Sequence, residues 1–260
     1  MHKRRRGYTR RVSVLNRVSG TARTRIGAAV RSAKRRLLCP EPREFRRLAD
    51  EILMSGAIEG WRLREDLALL YLLARDLPGD ELVLEIGSYK GLATTALAYG
   101  ALHGRRRTPV HTVDPHTGDR MVLESLGVEQ IPSLDDFRRN MTQGGVEDIV
   151  VAHVMRSSEL AKIWPGERLR LLFVDGWHSY DAVRADLDNW LPLLSPRGAV
   201  VIDDYANFDE VRAAVDDSWE QLPPHRWKVG WMILASGEPL PAAVERHLRV
   251  PWGGGIATPI

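Results

Sequence analysis

The chain has 260 residues, 44% of them hydrophobic and 27% charged, an ordinary globular composition with room for one large α/β domain. No uncharged apolar run approaches the roughly 18 to 20 residues that a bilayer-crossing helix needs, and no apolar core with a small-residue cleavage site marks an export signal. The lone Cys39 can form no internal disulfide and the eight histidines lack paired zinc-ligand spacings, which fits a reducing, cytoplasmic setting.

The net charge of +3 hides an asymmetry: residues 1–40 carry 13 Lys or Arg and no acid, against 24 bases and 34 acids in the remainder. Such an arm reads as a solvated, disordered or weakly helical extension. The same composition suits contact with nucleic acid or anionic membrane, and it also suits an organelle transit peptide. Pro40 and Pro42 then punctuate the chain, and the domain is placed at 41–240, opened by a helical cap. Phe45, Leu48, Ile52 and Leu53 predict a helix over 44–58, and a leucine-rich helix over 63–77 ends at Pro78-Gly79.

Short apolar runs predict strands at 82–86, 110–113, 149–154, 171–174 and 199–202, with a further strand over 227–235. Helices are predicted between several of them, at 92–102, at 133–141 and most clearly at 180–194, with Ser179 as its N-cap. Continuous apolar strands alternating with helices predict a doubly wound, Rossmann-like α/β sheet, mostly parallel with an antiparallel C-terminal strand and helices on both faces. Residues 241–260 read as an irregular tail.

Ligands of open parallel sheets bind beyond the carboxyl ends of the strands. The first strand ends Glu85-Ile-Gly87-Ser88-Tyr89-Lys-Gly91 and opens a helix, with glycines placed for a tight turn and a close approach. The Gly-x-Gly-x-x-Gly spacing of a dinucleotide site is absent. The second strand ends at Asp114, an acid placed to accept ribose hydroxyls. An ordinary strand-to-helix turn with polar strand ends is the plainer reading of the same residues. Together these residues resemble the first two motifs of class I S-adenosylmethionine-dependent methyltransferases, particularly the small-molecule O-methyltransferase branch. The resemblance implies that Glu85 and the Gly87–Gly91 loop, with Ser88 and Tyr89, face the cofactor, and that Met155, Ser157 and Ser158 lie near its adenine.

The fourth strand runs into Asp175-Gly-Trp177-His178-Ser-Tyr, and the fifth into Asp203-Asp204-Tyr205. Adjacent strand ends would converge three carboxylates, whose mutual repulsion a hard divalent cation relieves, with Mg²⁺ the natural candidate and Mn²⁺ or Ca²⁺ equally compatible. The plainer alternative makes Asp175 a helix cap and Asp203-Asp204 a solvated turn. The pattern resembles metal-dependent O-methyltransferases of the catechol type and of the macrolide-sugar type. It implies Asp175, Asp203 and Asp204 as metal ligands, Asp175 also against the cofactor, and His178 as general base.

The excursion over 115–145, with His116, Thr117, Asp119 and Arg120 at its start, suits either a substrate lid or a covering helix, and Trp177 and Tyr205 suit either stacking on an acceptor or filling space. The expected activity is methyl transfer from S-adenosylmethionine to a hydroxyl of a small polar molecule, such as a sugar of a natural product or glycan, with divalent-metal assistance. A nucleic-acid methyltransferase guided by the basic arm and a non-catalytic nucleoside-binding protein of the same fold are the competing classes. Against the former stand the acidic balance beyond residue 40 and the lack of an Asn/Asp-Pro-Pro-Tyr motif after the fourth strand.

Overall fold

Five apolar segments build the parallel part of the sheet: β1 (Leu82–Ile86), β2 (Val110–Val113), β3 (Val150–His153), β4 (Leu169–Val174) and β5 (Leu194–Ile202). The computed structural model describes residues 42–60, 62–118, 123, 127–249, 251, 252 and 255–260. The basic arm, with Asp119 and Arg120, lies outside them. The helices among the described residues are α1 (Arg43–Leu48), α2 (Arg64–Asp76), α3 (Leu92–His103), α4 (Leu134–Gly144), α5 (Ser157–Ile163), α6 (Tyr180–Trp190), α7 (Asp209–Asp217) and α8 (Ala242–Leu248). None is long and apolar enough to cross a membrane.

The parallel strands lie in the order β3-β2-β1-β4-β5, so the winding reverses between β1 and β4. That is where an open sheet leaves a crevice at its carboxyl edge. Side chains alternate across the pleat. Val83, Leu171, Phe173 and Val201 pack with α2, α3 and α4, while Leu84, Leu172, Val200 and Ile202 pack with α6 and α7. Coverage on both faces explains why β4 is buried along its whole length and why these strands read as unbroken apolar runs.

The C-terminal part departs from the sequence expectation in two places. The single strand over 227–235 is a hairpin of β6 (His225–Val229) and β7 (Met232–Ser236), in which Val229 pairs with Met232 and Gly230, at φ +61°, makes the two-residue turn with Trp231. β7 runs antiparallel to β5, as the fold class anticipated. The tail is not irregular throughout: Pro241 precedes α8, and after two-residue strands β8 (Pro251–Trp252) and β9 (Gly255–Ile256), β10 (Thr258–Pro259) pairs with the free edge of β6. The prolines sit where they are tolerated, ahead of a helix and on an edge strand.

Two helices are shorter than their apolar periodicity suggested. α1 gives way to a π-type turn at Ala49–Leu53, with Gly56 in the left-handed region soon after. α6 stops at Trp190 because Pro192 sits in a 3-10 turn, and Leu194 opens β5. Ser179 makes no capping bond with its side chain; Glu210 on α7 accepts the Tyr180 amide instead, at 2.9 Å.

Candidate active site

β1 and β4 approach so closely at their ends that only glycine fits at position 87. A Cβ there would lie 2.0 Å from the carbonyl oxygen of Asp175, and its φ of +86° is already left-handed. The loop continues through Tyr89 (φ +46°) and Gly91 (φ +87°) into the first turn of α3. Its shape is held by Asp114 at the end of β2. Oδ2 accepts the amides of Ser88 (2.9 Å) and Tyr89 (2.7 Å), and Oδ1 accepts that of His116 (2.6 Å). A carboxylate has about four lone-pair directions, and three are used here, so Asp114 retains about one for a ligand. His116, itself left-handed at φ +56°, is buried with its Nδ1 2.8 Å from Ser133 Oγ, and burial lowers its pKa.

Glu85 is fully buried beneath this loop. Thr94 Oγ1 donates to its Oε2 at 2.5 Å, Oε1 has no partner among the described residues, and burial pushes the acid up to about 8, so it is neutral near pH 7. The buried Ser88 Oγ, likewise without a partner among the described residues, lines the same cleft. On the α5 side, Ser157 and Ser158 face the cleft, whereas Met155 packs into the core beneath and does not line it. Ser157 Oγ donates to Asp186 on α6, a buried acid raised to about 7 by desolvation. The Arg156 guanidinium lies 4.6 Å from the centre of the Trp177 ring.

The four residues singled out after β4 and β5 do come together, around a residue that the sequence did not single out. Arg62, in the segment before α2, pairs through Nη2 with Asp175 and through Nη1 with Asp203 at 2.5 Å; its side chain is 7% exposed and lies 5.1 Å over Phe173. His178 Nε2 lies 2.9 Å from Asp204 Oδ2, and its ring stacks on Phe208 at 4.3 Å. Asp204 is left-handed (φ +58°). Burial pushes its acid up, but hydrogen bonds from His178 and from Asn207 at 2.6 Å outweigh that and hold it below the usual range. Burial raises Asp203 to about 8 against the pull of Arg62, and one guanidinium between two carboxylates leaves one of them to keep its proton.

A divalent ion does not fit this arrangement as it stands. Two of the three predicted ligands, Asp175 and Asp203, face Arg62 rather than an open cage. Among the described residues, Asp175, His178 and Asp204 can each aim one ligand atom within 4.8 Å of the others, but Asp175 is engaged by Arg62 and Asp204 by His178. Asp175 caps no helix, since α6 starts only at Tyr180. Tyr205 does not line the cleft: its hydroxyl donates to Asp216 on α7 at 2.8 Å, whereas Trp177 does line it.

The cleft has a volume of about 830 Å³ and joins the glycine loop, Asp114, the Ser157–Ser158 turn and the His178–Asp204 pair in one space. Arg62 and Asp186 were hidden from sequence reading because their partners are 113 and 29 residues away. The only local cues were an Arg at the approach to α2 and an Asp on the otherwise apolar face of α6.

Residues 84–205 match the family model of a methyltransferase domain. Over 86 residues, 33% of this chain, the sequence is 56% identical to y4gI, an uncharacterized protein of Sinorhizobium fredii; the match spans 7% of that protein's length. The structure is similar to the O-methyltransferase NovP, with a TM-score of 0.55 at 18% identity, covering 82% of this chain and 99% of the other. It is also similar to the O-methyltransferase TomG of Streptomyces achromogenes, solved with S-adenosylmethionine, with a TM-score of 0.54 at 19% identity, covering 81% and 96%. The sheet order and the glycine loop at the switch point agree with these likenesses: the chain has the fold of these O-methyltransferases, and its residues 84–205 resemble a methyltransferase domain.

Proposed function

We propose that this chain transfers the methyl group of S-adenosylmethionine to a hydroxyl of a small polar acceptor, with a sugar of a natural product or glycan as the favoured class. The observation that carries the reading is the His178–Asp204 pair, opening on the same cleft as the glycine loop. Glu85, Ser88, Tyr89 and Asp114 would hold the amino-acid and ribose parts of the donor, and Ser157, Ser158 and Asp186 its base. When bound, the donor supplies an electrophilic methyl group on a sulfonium.

A protonated hydroxyl is a poor nucleophile, so the chain must take its proton. His178 Nε2 carries the hydrogen that Asp204 accepts, so Nδ1 is the nitrogen whose lone pair takes the acceptor's proton. Asp204, ionised and 2.9 Å away, stabilises the imidazolium that forms, and Phe208 fixes the plane of the ring. The cleft walls would hold the acceptor oxygen at reacting distance from the methyl group. Mg²⁺ assistance, the expectation drawn from the sequence, would require Arg62 to leave Asp175 and Asp203, and the proton transfer to His178 does not depend on it.

The reading is tested by incubating the chain with isotopically labelled S-adenosylmethionine and a panel of sugar, catechol and RNA acceptors, following S-adenosylhomocysteine release. Labelled methyl in a hydroxyl-bearing small molecule is the expected result. Donor binding with no transfer to any acceptor class would refute it.

A further inference from the structure

The site places a charged side chain where a cluster of acids would otherwise demand an external cation. Arg62 is nearly buried, spans Asp175 and Asp203, and stacks over Phe173, so its position is set from three sides. Its backbone is fixed as well. Lys90 Nζ, on the glycine loop, bonds Glu59 at 2.7 Å and Asp136 on α4 at 3.0 Å. Gly60 sits so close to Leu92 that a Cβ would lie 2.7 Å from its Cδ2. The Leu63 amide donates to Asp66 at 3.0 Å, and Arg64 pairs with Asp50 at 2.6 Å. The segment that delivers Arg62 is therefore tied to the glycine loop, to α4, to the start of α2 and to the turn after α1.

We propose that Arg62 is the built-in cation of this site, held between Asp175 and Asp203 in place of a divalent ion, so that the chain works without a metal. A guanidinium cannot lose its charge at accessible pH and is tethered to the chain, so it meets the electrostatic demand of the two acids at no cost of capturing a dilute ion. Withdrawing it would strand a buried carboxylate beside a second acid, which is strongly unfavourable unless another cation takes over. Its removal should therefore create a pair of acids beside Asp204 with oxygen donors suited to Mg²⁺ or Mn²⁺.

The experiment is a titration of the full chain with Mn²⁺, followed by the loss of free-ion electron paramagnetic resonance signal, on wild type, Arg62→Leu, Arg62→Lys, Asp203→Asn and the Arg62→Leu, Asp203→Asn double variant. Wild type and Arg62→Lys should bind no stoichiometric Mn²⁺. Arg62→Leu should gain one site about tenfold or more tighter than any wild-type binding, lost again in the double variant. One stoichiometric Mn²⁺ on wild type, abolished by Asp203→Asn, would overturn the proposal, and this comparison decides the matter even if Arg62→Leu fails to fold. The proposal rests on the methyl-transfer reading only for its chemistry. Calorimetry with S-adenosylmethionine judges that reading separately, since absent donor binding would sink it while leaving the outcome of the Mn²⁺ titration intact.

Discussion

His178 and Asp204 meet at 2.9 Å although they follow different strands, and the contact depends on Asp204 adopting a left-handed backbone at φ +58°. The distance sets Asp204 as the partner that orients the imidazole and shares its charge. His178→Ala should lower turnover about 10²–10⁴-fold while S-adenosylmethionine affinity changes little. Steady-state kinetics beside calorimetry checks this, and an equal fall in affinity would assign His178 to donor binding.

Asp114 organises the glycine loop through three backbone amides. Asp114→Ala should therefore act on stability as well as on affinity, costing about 2 kcal/mol or more for the amides left unsatisfied. Donor binding should weaken by about tenfold or more, as expected for a lost charge-assisted contact of about 1.4 kcal/mol or above. Chemical denaturation with parallel calorimetry would show both, and a loss of affinity at unchanged stability would mean that the amide contacts carry no weight.

Gly87 and Gly91 are both left-handed, yet they should tolerate a methyl group unequally. At 87 the new Cβ meets the fixed carbonyl of Asp175, whereas at 91 it meets the end of the flexible Met141 side chain at 2.4 Å. Gly87→Ala should cost about 4 kcal/mol or more and break the junction of β1 with β4, while Gly91→Ala should cost about 1–2 kcal/mol. Thermal melts of the two variants provide the comparison, and equal losses would count against the close approach at Gly87.

Glu85 links stability to pH. Burial lifts its acid from 4.5 to about 8, so the folded chain keeps a proton that the unfolded chain releases. The contribution of this group is fully present below pH 4.5 and is lost as pH rises toward 8. Glu85→Gln removes that dependence, so the difference in unfolding free energy between the variant and wild type should move in the variant's favour across this window. A difference that stays flat with pH would place the charge elsewhere.

The parallel sheet was legible from its apolar runs because burial on both faces writes itself into consecutive residues, as in Leu169–Val174. The glycine loop was legible because Gly87 and Gly91 answer to local backbone constraints. The hairpin at Gly230 was missed because two short strands on either side of one glycine have the same apolar content as a single long one. The placement of Asp203 was half legible: its position at the strand end followed from sequence, but its partner did not, since Arg62 arrives from a segment whose spacing bears no relation to β5. Met155 and Tyr205 show the same limit, because alternation along an irregular turn does not fix which side chain faces a cleft.

Tyr89, His116 and Asp204 all hold left-handed backbone without being glycine, and all three stand at strand ends around one cleft. Each conformation costs about 1–2 kcal/mol, so among the described residues the left-handed strain outside glycine gathers at these strand ends. A breeder selecting this protein for heat tolerance alone would find glycine attractive at every one of these positions. The winners would outlast their parent in the oven and lose, at position 204, the acid that steadies His178.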